Sequence, residues 1–242
     1  MKVIILAGGY AKRLWPLTKE QPKHLLPIAG KPMIDYLMTQ LDKLDVDRFY
    51  LVTNAKFARN FEAWAEDSEW KDKVVIINDQ TSSDEDRLGS LGDIMYAVRQ
   101  ESIEDDIFVQ GADNLSDFDF NKMVQRFQEK QAPVIAAYDV KDPEIVKQNS
   151  QVTVGESQEV LEYLEKPESP TSTLVGTLSW IIPKDCIPYI QETVDAGRSD
   201  KAGWFIIDLL KRVAVYSVTY DGLWIDIGTP ETYEKAQETM KG

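Results

Sequence analysis

Short apolar runs rich in β-branched residues return along the first 140 positions, at residues 3–6, 49–52, 74–77, 107–109 and 134–137. Unbroken runs of this length, rather than alternating ones, are what strands buried on both faces look like. Between them the apolar spacing changes to a helical period. Ile34, Leu37, Met38, Leu41 and Leu44, for example, share one face of a helix that would pack on such a sheet. The alternation of strand and helix implies an α/β fold with a doubly wound, mixed but mainly parallel sheet. Ligands of open α/β sheets lie beyond the carboxyl ends of the strands, so the loops carrying Gly8 and Gly111 should meet in one crevice.

After Asp139 the rhythm becomes one of shorter extended pieces, 151–154, 160–164 and 174–182, with EKPESPTS as the turn between the last two. This half should be more antiparallel. Helical patterns follow over 184–195 and 204–212, then an alternating run over 214–220 and a last helix from about Pro230. No repeat and no linker is visible. A single 242-residue domain is expected, with halves meeting near residue 140.

Charge is distributed unevenly. The chain carries −14 overall, yet its first 34 residues hold Lys2, Lys12, Arg13, Lys19, Lys23 and Lys31 against one acid, Glu20. All of these cations except Lys2 follow a buried strand that opens into Gly8-Gly9. A glycine turn lets phosphate oxygens approach backbone N–H groups, and nearby cations neutralise them. Phosphate chemistry is therefore expected at this end. The acidic balance elsewhere, with a pI near 4.6, argues against nucleic acid or an anionic membrane as partner.

A single cysteine, Cys186, excludes an internal disulfide and a cysteine metal cluster and agrees with a reducing compartment. The apolar run after Met1 is too short for a signal-peptide core or a membrane span, so a cytoplasmic location is expected. Oligomeric state is open, with a homo-oligomer compatible. The lone His24 has no partner in any triad spacing and reads as structural, and tryptophans such as Trp180 and Trp224 read as packing.

Several polar groups sit where chemistry would need them, although each has an ordinary reading too. Asp113, in VQGADN, follows the fourth apolar run, and Gly, Asp and Asn are also turn formers. Asp226 ends a short strand before Gly228-Thr229-Pro230, where Thr229 could cap and Pro230 open a helix. Glu165-Lys166 closes a strand before a proline and could be solvated surface. Gly89 precedes a helix, as many loop glycines do.

The segment LAGGYAKRLWPLTKEQPKHLLPIAGKPMI resembles the signature of the sugar-nucleotide pyrophosphorylases, the sugar-1-phosphate nucleotidyltransferases, whose usual form runs LAGGxGTRLxPLTxxxPKxLLPxxxKPxI. Two positions depart. Ala11 stands where glycine is usual, and Lys12 where threonine is usual. LWIDIGTP resembles the family's second signature, W-x-D-I-G-T-P, and the resemblance extends to about Lys235. It implies transfer of a nucleoside monophosphate from an NTP to a sugar 1-phosphate, with Asp113 and Asp226 holding Mg²⁺. It further implies that Arg13, Lys23 and Lys166 neutralise phosphate, and that Leu6, Ala7, Gly8, Gly9 and Gly89 contact the nucleotide. Glu165, Lys166, Gly176 and Thr177 would contact the sugar phosphate, the last two matching the family pattern only in part. Two alternatives stay open, a cytidylyltransferase acting on an alcohol phosphate such as phosphocholine or inositol phosphate, and a homologue that binds nucleotide-sugars without turnover. A dinucleotide oxidoreductase is disfavoured, since GGYAKR is not GxGxxG.

Overall fold

Each of the five apolar runs is a strand in the computed structural model, which describes residues 1–241. In chain order the strands are β1 (Lys2–Leu6), β2 (Pro27–Ile28), β3 (Lys31–Pro32), β4 (Phe49–Thr53), β5 (Val74–Asn78), β6 (Ile107–Gly111), β7 (Asn114–Ser116), β8 (Val134–Asp139), β9 (Ser150–Val154), β10 (Val160–Glu165), β11 (Leu174–Ile182), β12 (Tyr216–Tyr220) and β13 (Trp224–Asp226). The helices are α1 (Met33–Leu41), α2 (Ala58–Asp67), α3 (Gly89–Gln100), α4 (Asn121–Lys130), α5 (Pro143–Val146), α6 (Ile187–Asp195), α7 (Gly203–Leu209) and α8 (Pro230–Thr239).

The main sheet runs β10-β9-β11-β6-β1-β4-β5, with β8 bonded to β11 and β12 to β8. Its heart, β6-β1-β4-β5, is parallel. Successive residues of β1 point to opposite faces, and both faces are dry. Val3 and Ile5 join a core with α1 and α2, through Ile34, Leu37 and Phe61, whereas Ile4 and Leu6 join a second core with α3, α6 and α7, through Ile94, Ile190 and Phe205. Burial on both sides is why these runs carry no polar alternation.

Residues 134–137, expected beside the other parallel strands, lie elsewhere. The nine-residue β11 intervenes, antiparallel to both β6 and β8, and β8 is parallel to β12. The antiparallel reading of β9, β10 and β11 holds. Toward the C-terminus α7 ends at Leu209 rather than near 212, and β12 begins at Tyr216 rather than 214. Cys186 is free and buried. No helix among the described residues is long and apolar enough to cross a membrane.

A small second sheet matters most for position. β13 lies antiparallel to β7, pairing Asp226 with Asn114 and Ile225 with Leu115. It is held by a third cluster that includes Leu14, Met33, Ile227 and Ala236. Thr229 and Thr232 form a reciprocal capping box at the start of α8 with Pro230 inside its first turn, so the chain after Asp226 turns sharply into a helix.

Candidate active site

β1 and β6 are neighbours, and Leu6 lies opposite Gly111. The loops leaving their carboxyl ends therefore start side by side. Ala7 continues the ladder by donating its N–H to the Val52 carbonyl at 2.8 Å, and the chain then breaks away at Gly8, whose carbonyl accepts from Asn54 Nδ2 at 2.8 Å. Leu6 and Ala7 are buried beneath this turn. A Cβ on Gly8 would lie 2.9 Å from Asp93 Oδ2, whereas one on Gly9 would meet nothing within 4 Å. Gly8 is thus fixed by packing below, and Gly9 opens onto the cleft above. Ala11 adopts the left-handed conformation, with φ 46° and ψ 44°, a region that disfavours any side chain by roughly 1–2 kcal/mol. This explains why glycine is usual there.

Gly9, Lys12, Arg13, Lys23, Asp113 and Asp226 line one cavity of about 320 Å³. Arg13 is exposed in it. Lys23, only 9% exposed, directs Nζ to Asp113 Oδ2 at 3.2 Å and to the Ile227 carbonyl at 3.1 Å. Asn114 Nδ2 donates to the other Asp113 oxygen at 2.8 Å. Burial, the largest single influence, would raise the Asp113 carboxyl, but the charge and hydrogen bond of Lys23 together with the other neighbouring donors hold the group below the ordinary carboxylate range. Because the Asp113 side chain stays 42% exposed, burial does not prevail, and the neighbouring donors led by Lys23 set the direction.

Asp226 reaches the same place from the other end of the chain. Its neighbour Ile227 donates N–H to the Asp113 carbonyl at 3.0 Å, which locks the two acidic segments together. Enclosure in the cleft, and then the charge of Asp113, push the Asp226 carboxyl up to about 6 against the pull of Lys23 and Arg13. Its side chain opens to solvent, so the facing Asp113 charge is the cause that matters chemically. Two hard oxygen ligands that repel one another are a fitting partial set for a small divalent cation. No third His, Cys, Asp or Glu joins them among the described residues, so phosphate oxygens and water would have to complete the coordination.

Beyond Asp113 a second cavity of about 390 Å³ opens, lined by Ser150, Glu165, Lys166, Gly176, Thr177 and Lys201 among others. Asp113 belongs to both. Ser150 Oγ donates to Glu165 Oε1 at 2.9 Å, and a Cβ on Gly203 would sit 1.8 Å from that oxygen. Lys166 takes φ 47° immediately before Pro167, and its N–H donates to the Asn149 carbonyl at 3.0 Å. A side chain held in the left-handed region at the rim of a cavity is the kind of strain that functional sites retain. Across the cavity β11 bulges between Gly176 and Trp180. Gly176 has no room for a side chain, since its Cβ would fall 2.6 Å from the Tyr163 hydroxyl oxygen. Thr177 is buried, and its hydroxyl donates to the Ala136 carbonyl at 3.2 Å.

A profile of the nucleotidyl transferase family matches residues 2–241. The chain belongs to that family. A Sulfolobus acidocaldarius protein provisionally named mannose-1-phosphate guanyltransferase is 31% identical over 96% of this nucleotidyl transferase and 61% of its own length. AglF of Haloferax volcanii, a UTP–glucose-1-phosphate uridylyltransferase, is 24% identical over 100% of this chain and 97% of that one. Among solved structures, UDP-glucose pyrophosphorylase complexed with UDP-glucose superposes with a TM-score of 0.84 at 21% identity, covering 99% of this chain and 98% of that one. The nucleotidyl transferase spans 52% of the bifunctional GlmU of Methanocaldococcus jannaschii, so some relatives carry a further part of comparable size.

Gly89 lines neither cavity. It opens α3 at φ +76°, and its Cβ would meet the Ser199 carbonyl oxygen at 2.7 Å, so the backbone alone demands glycine there. His24 is buried and packs on Phe61 with ring centroids 5.9 Å apart. Burial and then the Lys23 charge depress it to about 3, which keeps it neutral. Sequence reasoning passed over Gly203 and Asp79, and gave Ser150 and Asp93, Asp79's buried partner, no role. Ser150 and Gly203 carry no local signal, because they matter through Glu165 and Tyr163, which are distant in sequence. Asp93 had one: an acid on the otherwise apolar inward face of α3.

Proposed function

We propose that this nucleotidyl transferase moves a nucleoside monophosphate from an NTP to a sugar 1-phosphate, releasing pyrophosphate and leaving an NDP-sugar. The observation that carries the reading is the pair of adjoining cavities that share Asp113. One is lined by the glycine turn with Arg13 and Lys23, the other by Glu165 and Lys166. Residues 1–140 would hold the nucleotide and 141–242 chiefly the sugar, with Asp226 crossing back to the nucleotide side. The names of relatives, which span guanylyl and uridylyl transfer to hexose 1-phosphates, support the reaction class and leave the base open.

In this reading an oxygen of the sugar phosphate attacks the α-phosphorus, and the bond from that phosphorus to the oxygen bridging toward the β-phosphate breaks. The electron pair leaves with pyrophosphate. No covalent enzyme intermediate is required. The protein's task is to hold two polyanions together in line and neutralise them, the main resources of phosphoryl-type transfer. Gly9 leaves the backbone open to phosphate oxygens. Arg13 neutralises the outer phosphates, Lys23 the α-phosphate, and Lys166 the incoming sugar phosphate, while Glu165, anchored by Ser150, accepts from sugar hydroxyls. Asp113 and Asp226 would hold Mg²⁺, which supplies positive charge at the α-phosphate when bound. Gly89, which the resemblance would place at the nucleobase edge, lies outside both cavities and takes no part in this reading.

An alcohol phosphate with a quaternary ammonium is disfavoured because the second cavity offers no aromatic cage. Its Tyr163 and Trp180 are buried at 5% and 1% exposure, while hydrogen-bonding groups face the space. The test is pyrophosphate release from each of several NTPs crossed with sugar 1-phosphates, phosphocholine and inositol phosphate, with and without Mg²⁺. Turnover with a sugar 1-phosphate is expected. Turnover only with an alcohol phosphate, or with none, would refute the assignment.

A further inference from the structure

Lys12 is the one cation of the glycine turn that departs from the pattern the segment resembles, and it is already engaged. Its Nζ lies 3.2 Å from Asp84 Oδ2 and 3.8 Å from Glu85 Oε1. Both acids belong to the SSDEDRL loop that overhangs the triphosphate cavity, which Lys12, Asp84 and Arg87 all line. Asp84 is shared, for Arg87 Nη1 reaches its Oδ1 at 2.9 Å, and Arg87 Nε lies 3.3 Å from Asp200 Oδ1. The hydrogen bond from Lys12 is the main reason the Asp84 carboxyl sits below its ordinary range, with Arg87 adding to it. A chain of charges thus runs from the glycine turn through the acidic loop to Asp200, on the wall of the second cavity.

We propose that Lys12 is an additional triphosphate ligand, and that Asp84 and Glu85 act as an internal anionic stand-in which the incoming triphosphate displaces. The proposal rests on the nucleotidyl transfer reading and extends it. Two features make the exchange cheap. The Lys12 side chain is 48% exposed, and its partners are 32% and 79% exposed, so these ion pairs are weak and solvent-screened. A triphosphate brings several charges to the same ammonium and outcompetes a single carboxylate. Lys23, by contrast, is only 9% exposed and pinned at both Asp113 and Ile227, so it cannot leave its place in the same way. Release of Asp84 would leave Arg87 to Asp200 alone, so filling the nucleotide cavity would alter the charge facing the sugar cavity.

The test is a calorimetric titration of inorganic tripolyphosphate, in metal-free buffer, into the whole chain and four variants: Asp84→Asn/Glu85→Gln, Lys12→Thr, all three substitutions combined, and Arg13→Ala. All sites are at least partly exposed, and circular-dichroism melts check folding. Removing the stand-in acids is expected to tighten binding about threefold to tenfold, Lys12→Thr to weaken it about tenfold, and the gain to disappear once Lys12 is gone. An equal gain with and without Lys12 would overturn the proposal, as would no gain at all. If Arg13→Ala still abolished binding in either case, the triphosphate reading would stand without it. Failure of tripolyphosphate to bind any form would remove both.

Discussion

Asp79 and Asp93 meet beneath the glycine turn, 5% and 8% exposed, and the substitution Asp93→Asn tests what that meeting costs. Burial, then the Asp79 charge and a hydrogen bond to it, push the Asp93 carboxyl up to about 8, and burial raises Asp79 as well. Asp86 and the Tyr10 hydroxyl are the other titratable groups nearby, while Thr81 donates to Asp79 Oδ1 at 2.7 Å. Asp93 is therefore protonated at neutral pH in the folded chain but ionised in the unfolded one. A carboxyl raised on folding stabilises fully below its unfolded value, and that contribution is lost as pH climbs to the folded value. The window runs from the ordinary 3.8 to about 8. Roughly four pH units at about 1.4 kcal/mol each set a ceiling near 6 kcal/mol. Asp79 and Asp93 share the proton, so the cost belongs to the pair, and asparagine inherits the unpartnered position of Asp93 Oδ1. About 2–3 kcal/mol should be realised. Urea unfolding at pH 5, 6.5 and 8.5 is expected to show Asp93→Asn gaining on the parent chain as pH rises, with the difference levelling above pH 8. A difference independent of pH, or one that shrinks toward pH 8.5, would refute the shared proton.

Three further substitutions have expected outcomes. Ala11→Gly should change stability by less than about 1 kcal/mol in thermal melts, because relief of the left-handed alanine is offset by the extra entropy of glycine in the unfolded chain. Gly203→Ala must displace the Glu165 carboxylate, whose Oε1 lies 1.8 Å from the new methyl position. Steady-state kinetics should show KM for the sugar phosphate rising about tenfold or more with KM for the NTP little changed. His24 is depressed from 6.5 to about 3 by burial, so the unfolded chain takes up a proton that the folded one refuses, and stability falls as pH drops through that window. His24→Leu should flatten this acid limb of the stability curve measured by urea unfolding.

Strands that bury both faces announce themselves, and β1, β4 and β6, with the half-buried edge strand β5, were legible from composition and length alone. Their neighbours were not. Nothing local tells that β11 intervenes between β6 and β8, because an antiparallel insertion and a parallel one bury the same residue types. The site divides along the same line. Lys12, Arg13 and the glycines follow one strand within a few residues, so their proximity was inevitable. Asp113 and Asp226 are far apart in sequence, and what joins them is the three-residue pairing of β7 with β13, too short to carry a pattern. Resemblance supplied that link where periodicity could not. Gly203 and Ser150 were invisible because their importance lies in the space around Glu165 and Tyr163.

The most direct test follows the label from an NTP carrying ³²P at the α-phosphate, in the parent chain and in Asp113→Asn, with Mg²⁺ and the preferred sugar 1-phosphate. The parent chain should place the label in NDP-sugar and release unlabelled pyrophosphate in equal amount. The variant should melt as a folded protein and transfer none. Label appearing as free nucleoside monophosphate, or transfer by Asp113→Asn at the parental rate, would contradict the account.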